Sequence, residues 1–211
     1  MKQANKPHHH GNLREALVLA GLELIDKQGA DALTLRKCAI KAGVSHAAPA
    51  HHFDGLKGLR AAIIAHGHDL FAEAMREASI KSAPSHMAHL DAVCRGYISF
   101  ATAHTSLFKF MFQPHDIIPD DLNDLTRDVF LEKTNASYQI LRDACAPFGQ
   151  SKITAPENLT TDNLTSDNLV IETMVWSLVH GYAMLFCGKT RVRACSPDFP
   201  EFSQLLSRLI L

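Results

Sequence analysis

The chain has 211 residues, 46% of them hydrophobic and 20% charged, with a net charge of −1 when histidine is counted neutral. That is ordinary for a globular protein, and long enough for one large domain or two small ones. Five cysteines, Cys38, Cys94, Cys145, Cys187 and Cys195, are an odd number without a C-x-x-C pair; they fit reduced, inert core thiols rather than a disulfide framework.

The charge is unevenly placed. Residues 1–60 carry nine Lys and Arg against five acids, a net of +4, and the remainder carries 12 against 17, a net of −5. Six of the thirteen histidines also precede residue 60. A basic head on an acidic body points to a polyanion as the partner of the head. The opening MKQANKPHHHGNL has no apolar core and is not read as a secretory signal. His8–His10 run smoothly into the first helix, so a native arm is favoured over a metal site.

The elements are helical nearly throughout. Leu13, Leu17, Ala20 and Leu24 follow a 3.6-residue period, Asn12 with Glu15 reads as a capping box, and Gly29 closes the helix. Thr34 caps a short second helix carrying Leu35, Ala39 and Ile40, stopped by Gly43. Ser45 then caps a third, in which Pro49 falls at about the fourth position. The fourth runs from Leu56 to about Ser79 with Leu59, Ile63, Leu70, Ala74 and Met75, and joins head to body. A fifth spans Ser85 to about Thr105, a sixth Ser106 to Phe112, and a seventh Pro119 to about Ala146 behind Asp120, Asp121 and Asp124. The eighth covers Asp167 to about Cys187 and the ninth Pro200 to Ile210. Between the seventh and eighth, NLTTDNLTSDNL, Asn158 to Leu169, repeats a five-residue unit and reads as an elongated loop. Leu169–Phe186 is the most membrane-like stretch, but Glu172 and His180 within it favour a buried helix over a span. The fold class is all-α, with about nine helices and no strand; residues 1–58 form the head and 59–211 the body.

The second helix, glycine turn and third helix make a helix-turn-helix. Ala39 is small where the helices approach, Gly43 takes the positive φ of the turn, and Val44 lies beneath it. In such a unit the second helix enters the major groove. Base reading would fall to His46, Ala47, Ala48 and His51, the alanine methyls suiting thymine methyls, with Thr34, Ser45, His52 and Lys57 on phosphates. Arg36 and Ala50 complete the candidate DNA face.

The sequence here resembles the tetracycline-repressor family of bacterial transcriptional regulators. The run TLRKCAIKAGVSHAAPAHHF matches that family's helix-turn-helix, HHGNLREAL its entry to the first helix in one branch, and WSLVHG (Trp176, His180, Gly181) that branch's C-terminal W-x3-H-G signature. Ala50 and Leu56 stand where the family usually has a tyrosine and a lysine, both on the DNA backbone; Lys57, His51 and His52 are placed to substitute. The resemblance implies a homodimer that represses or activates a promoter and responds to a small molecule held in the C-terminal helices; a cytoplasmic protein is expected from the thiols and the N-terminus. The bulky residues Tyr97, Phe100, His104, Phe108, Met111, Phe112, Tyr138, Trp176 and His180 are the candidate ligand-binding set. No cofactor or metal is expected: His86 with His89, and His66 with Asp69, lack a third ligand. No G-x-S-x-G, H-E-x-x-H, P-loop or G-x-G-x-x-G occurs, which leaves an enzyme second. An interaction module with a helix-turn-helix that no longer binds DNA, motivated by Ala50 and Leu56, is third. Homodimerisation is assigned to the eighth and ninth helices, where Leu169–Phe186 and the terminal Leu205, Leu206, Leu209, Ile210 and Leu211 are apolar.

Overall fold

The computed structural model describes residues 13–114, 117–149, 161–186 and 200–210, of which 161–167 by their backbone alone. Among these residues there is no strand. Eight α-helices follow in order: α1 Leu13–Gln28, α2 Leu35–Ala42, α3 Gly55–Ile80, α4 His86–Ala103, α5 Thr105–Phe112, α6 Asp124–Gly149, α7 Thr161–Phe186 and α8 Phe202–Ile210. Short 3₁₀ turns occur at Ala30–Ala32, Ala48–His51 and Pro119–Asp121. The all-α class holds, with eight α-helices where about nine were expected. Asn12, His8–His10, Cys187, Cys195 and Leu211 lie outside the described residues.

The missing helix is the third, and proline is the reason. A helix capped by Ser45 needs the Ser45 carbonyl to accept from residue 49, but Pro49 has no N–H and its ring would crowd that carbonyl. The Ser45 carbonyl accepts from Ala48 N at 3.1 Å instead, and Ala47, not Ser45, precedes the turn, with no side-chain cap. The N-terminus of α6 changes likewise. Pro119–Asp121 forms a separate 3₁₀ turn, and the α-helix begins at Asp124. In the other direction, α7 starts at Thr161, six residues before the expected Asp167, so from there the repeat is helix rather than loop. The weak helix propensity of Asn, Thr and Asp is overridden by the apolar continuation behind them.

By contacts the chain groups into two units. One comprises residues up to His66 with Lys109–Leu131, the other Gly67–Phe108 with Glu132 onward; α3 and α6 supply residues to both. In the first unit α1 packs on α2 around Leu17, Leu24, Ile25, Leu33, Cys38 and Phe53, all at most 5% exposed. Gly21 lets α1 approach α3, since a Cβ there would stand 2.5 Å from Ile63 Cδ1. Expected apolar positions Ile40 and Leu70 instead face outward.

In the second unit α4 packs on α7 and α7 on α8, burying Phe71, Met75, Leu90, Val93, Tyr97, Val175, Val179 and Leu206. Gly96 is the tightest point: an added Cβ would meet Ala74 O at 2.5 Å and Met75 Cα at 2.7 Å on α3. Asn168–Phe186 is long and apolar enough to cross a membrane. Its inner face nonetheless carries buried Glu172, ion-paired to Arg142 at 3.4 Å, a placement a bilayer interior would penalise.

Candidate functional site

In the head, local chemistry builds α2 and its glycine turn as the residues suggest, while a 3₁₀ turn, Ala48–His51, stands in place of the expected capped third helix. Thr34, extended at φ −141°, caps α2 by accepting from Lys37 N at 3.2 Å. Gly43 closes the helix at φ 70°, the left-handed region, and Val44 N returns to Ala39 O at 3.0 Å. Pro49 and Phe53 point inward and are buried. Thr34, Arg36, Ser45, His46, Ala47, Ala50, His51 and Lys57 are exposed, and Ala48 and His52 half-buried, so all ten candidates reach solvent.

The positive charge of the head is more localised than its net suggests. Lys27 and Lys41 both pair with Glu23, at 2.5 and 2.7 Å, and hold its carboxylate down to about 2. Lys57 lies 3.7 Å from Asp121. Arg36 and Lys37, at the start of α2, make no ion pair among the described residues. Both side chains are exposed to solvent.

In the body, the candidate ligand residues sort into three groups. Tyr97, Phe100 and Phe108 are buried with Phe71 in a ring cluster, Tyr97 to Phe71 centroids being 4.6 Å apart and Tyr97 to Phe108 5.8 Å. His180 joins it, 5.5 Å from Phe108. Tyr138 and Trp176 form a second contact at 5.9 Å. His104 is exposed beyond the end of α4, its ring 5.1 Å from Phe100. Met111 and Phe112 belong to the first unit.

A hydrogen-bonded seam links the polar tips. The Tyr97 hydroxyl lies 2.7 Å from His180 Nδ1 and is also hydrogen-bonded by Trp176. The indole N–H can only donate, so the Tyr97 oxygen accepts from Trp176 and its own proton goes to His180 Nδ1. This fixes His180 as the neutral Nε2–H tautomer, in agreement with burial pushing its pKa down. The spacing of Trp176 and His180, four residues apart on α7, places both on one helix face. Glu172 continues that face and was missed as a site residue; the E-x3-W-x3-H spacing was the available signal. It accepts from the Tyr138 hydroxyl at 2.9 Å and is ion-paired with Arg142, whose Nε lies 3.4 Å away.

The three described thiols are inert by environment: burial pushes Cys38 to about 11, Cys145 to about 12 and Cys94 well up. Among the described residues no group of three or more His, Cys, Asp or Glu could hold a metal ion. A shallow concavity of about 450 Å³ between the end of α3 and the start of α4 is lined by Ser79, Pro84, His86 and His89, none of them a candidate ligand residue.

A helix-turn-helix with an outward recognition turn, on an otherwise all-helical chain, defines a DNA-binding transcriptional regulator. The comparisons give the family. The model described as "Tetracyclin repressor-like, C-terminal domain" matches residues 90–206, more than half of the chain. The chain belongs to the tetracycline-repressor-like family. Its fold is similar to a protein of unknown function from Rhodococcus sp. RHA1, at 24% identity over 97% of this chain and 95% of the other, with a TM-score of 0.67. It is also similar to a bacterial regulatory protein in the tetR family from Rhodococcus RHA1, at 14% identity over 94% and 97%, TM-score 0.58. A third similar structure is the TetR family transcriptional regulator PfmR from Thermus thermophilus, at 15% over 92% and 93%, TM-score 0.54. No curated protein matches the chain.

Proposed function

We propose that the protein is a cytoplasmic repressor that binds a palindromic operator as a homodimer and is released by a small molecule held in the C-terminal helices. The observation that carries DNA binding is the solvent-facing α2–turn–3₁₀ segment, with Thr34, Arg36, Ser45, His46, Ala47, Ala48, Ala50, His51, His52 and Lys57 all accessible and Arg36 and Lys37 unpaired among the described residues. Residues 1–58 are assigned to DNA and 59–211 to the effector and the dimer. The dimer reading is supported by the outer face of α7, where Val170, Met174, Met184 and Leu185 are 51%, 39%, 45% and 51% exposed. Gly181 adds to it, since a Cβ there would meet nothing within 4 Å. Effector binding is assigned to the Tyr97–Trp176–His180 seam, where aromatic area and a small number of fixed polar groups coincide.

The test is a gel-shift salt series with wild type and the Arg36→Ala and Lys37→Ala variants, on a duplex enriched by the wild type from a random pool. Each phosphate contact adds to the slope of log affinity against log salt, so each variant should lower that slope by about one. Unchanged slopes in both variants would mean that this face does not meet the backbone.

A further inference from the structure

The recognition turn is held from below by a segment more than sixty residues away in sequence. Asn123 precedes α6 and caps it, its Oδ1 accepting from Thr126 N at 2.9 Å. In an ordinary capping box a Glu at the third helical position reaches back to the N–H of the capping residue. Here that third residue is Thr126, which cannot do so, and the Asn123 N–H donates instead to Asp54 Oδ2 at 2.6 Å. Thr126 has another partner: buried to 1% exposure, its Oγ1 accepts from Arg14 Nη2 at 3.2 Å. The same Arg14 guanidinium lies over the Phe53 ring, 5.1 Å from its centroid. Phe53 N in turn donates to Pro49 O at 3.0 Å, inside the recognition turn. Two chains of contact therefore run from the α6 N-terminus to residues 49–54, one through Asp54 and one through Arg14 and Phe53.

Arg14 sits there at a cost. Burial lowers its pKa, and its Nε has no hydrogen-bond partner. A basic residue in a DNA-binding head that faces inward is spent on geometry rather than on phosphate.

We infer that Asp54 and Arg14 are positioning residues for DNA recognition, fixing the recognition turn by anchoring it to the capped N-terminus of α6. This rests on the DNA-binding reading above and goes beyond it, because neither residue is expected to touch DNA. A turn of four residues closed by 3₁₀ bonds is weakly ordered by itself, and ordering it only on binding lowers affinity. The anchor supplies that order in advance.

Charge and position predict opposite signs at Asp54. Removing an acid from a basic head should strengthen binding to any duplex through electrostatics alone. Positioning predicts that Asp54→Ala weakens binding to the enriched duplex about tenfold, while binding to a scrambled duplex of the same length is unchanged or stronger. Asp54→Asn keeps an acceptor oxygen and should restore specific affinity to within a few-fold. Thr126→Val, which carries no charge change, should lose specific affinity in the same direction as Asp54→Ala and serves if that variant does not fold. Amide exchange of residues 47–53 in the free protein should be faster in Asp54→Ala and Thr126→Val than in wild type. Specific affinity that is equal or higher in Asp54→Ala, or unchanged exchange at 47–53, overturns the inference. If the wild type enriches no duplex, the DNA-binding reading fails, and the exchange result still decides whether the anchor orders the turn.

Discussion

His68 offers a prediction whose size follows from its surroundings. It is 7% exposed on α3, with Nδ1 2.8 Å from the Ser137 Oγ of α6, itself 2% exposed. Ser137 uses its one proton on Thr134 O at 2.9 Å, so His68 Nδ1 must be the donor. Burial pushes the His68 pKa from 6.5 down to about 4. Between those values the unfolded chain takes up a proton that the folded chain refuses, so the folded state loses stability as pH falls from 6.5 to 4 and keeps the contribution in full above 6.5. At about pH 4.5 the loss is about 2–3 kcal/mol, from about 1.36 kcal/mol per pKa unit over most of the shift. Urea unfolding of wild type and His68→Gln across about pH 4.5–7.5 measures it. The variant should start less stable and then fall by about 2–3 kcal/mol less than wild type, with His180, present in both, cancelling. Parallel curves would show that His68 is not held neutral by burial.

Gly96→Ala should destabilise by about 1–3 kcal/mol, because its Cβ meets the backbone of Ala74 and Met75 rather than a side chain that could turn away; thermal unfolding reads it. Thr34→Ala should cost about 1 kcal/mol through loss of the α2 cap, read by the same method. Met184→Glu on the outer face of α7 should shift a dimer toward monomer in sedimentation at micromolar concentration. Trp176→Ala should weaken release of operator by any small aromatic effector found in a compound screen, and equal release would place the effector elsewhere.

What was legible in the sequence was what short-range chemistry decides. Thr34 as a cap and Gly43 at positive φ follow from residues within a few positions and stand so in the structure, and Ala39 is fully buried. The 3₁₀ form of the recognition turn is also local, set by what Pro49 does to the Ser45 carbonyl. Trp176 and His180 were singled out from the resemblance, whereas their common partner Tyr97 emerges only when α4 packs on α7. Glu172 stood out only as a charge in an apolar run; its partners Tyr138 and Arg142 come from another helix. Least legible were the pairs Arg14–Thr126 and Asp54–Asn123, separated by 112 and 69 residues, since no local pattern marks a long-range hydrogen bond.

Hydroxyl-radical footprinting of the enriched duplex at low salt tests the central claim most directly. A dimer presenting two recognition turns should protect two half-sites one helical turn apart, ~34–36 Å, with symmetry between the strands. Protection of a single patch would contradict the two-fold dimer, and the absence of any protected site would contradict DNA recognition by the Thr34–His52 segment.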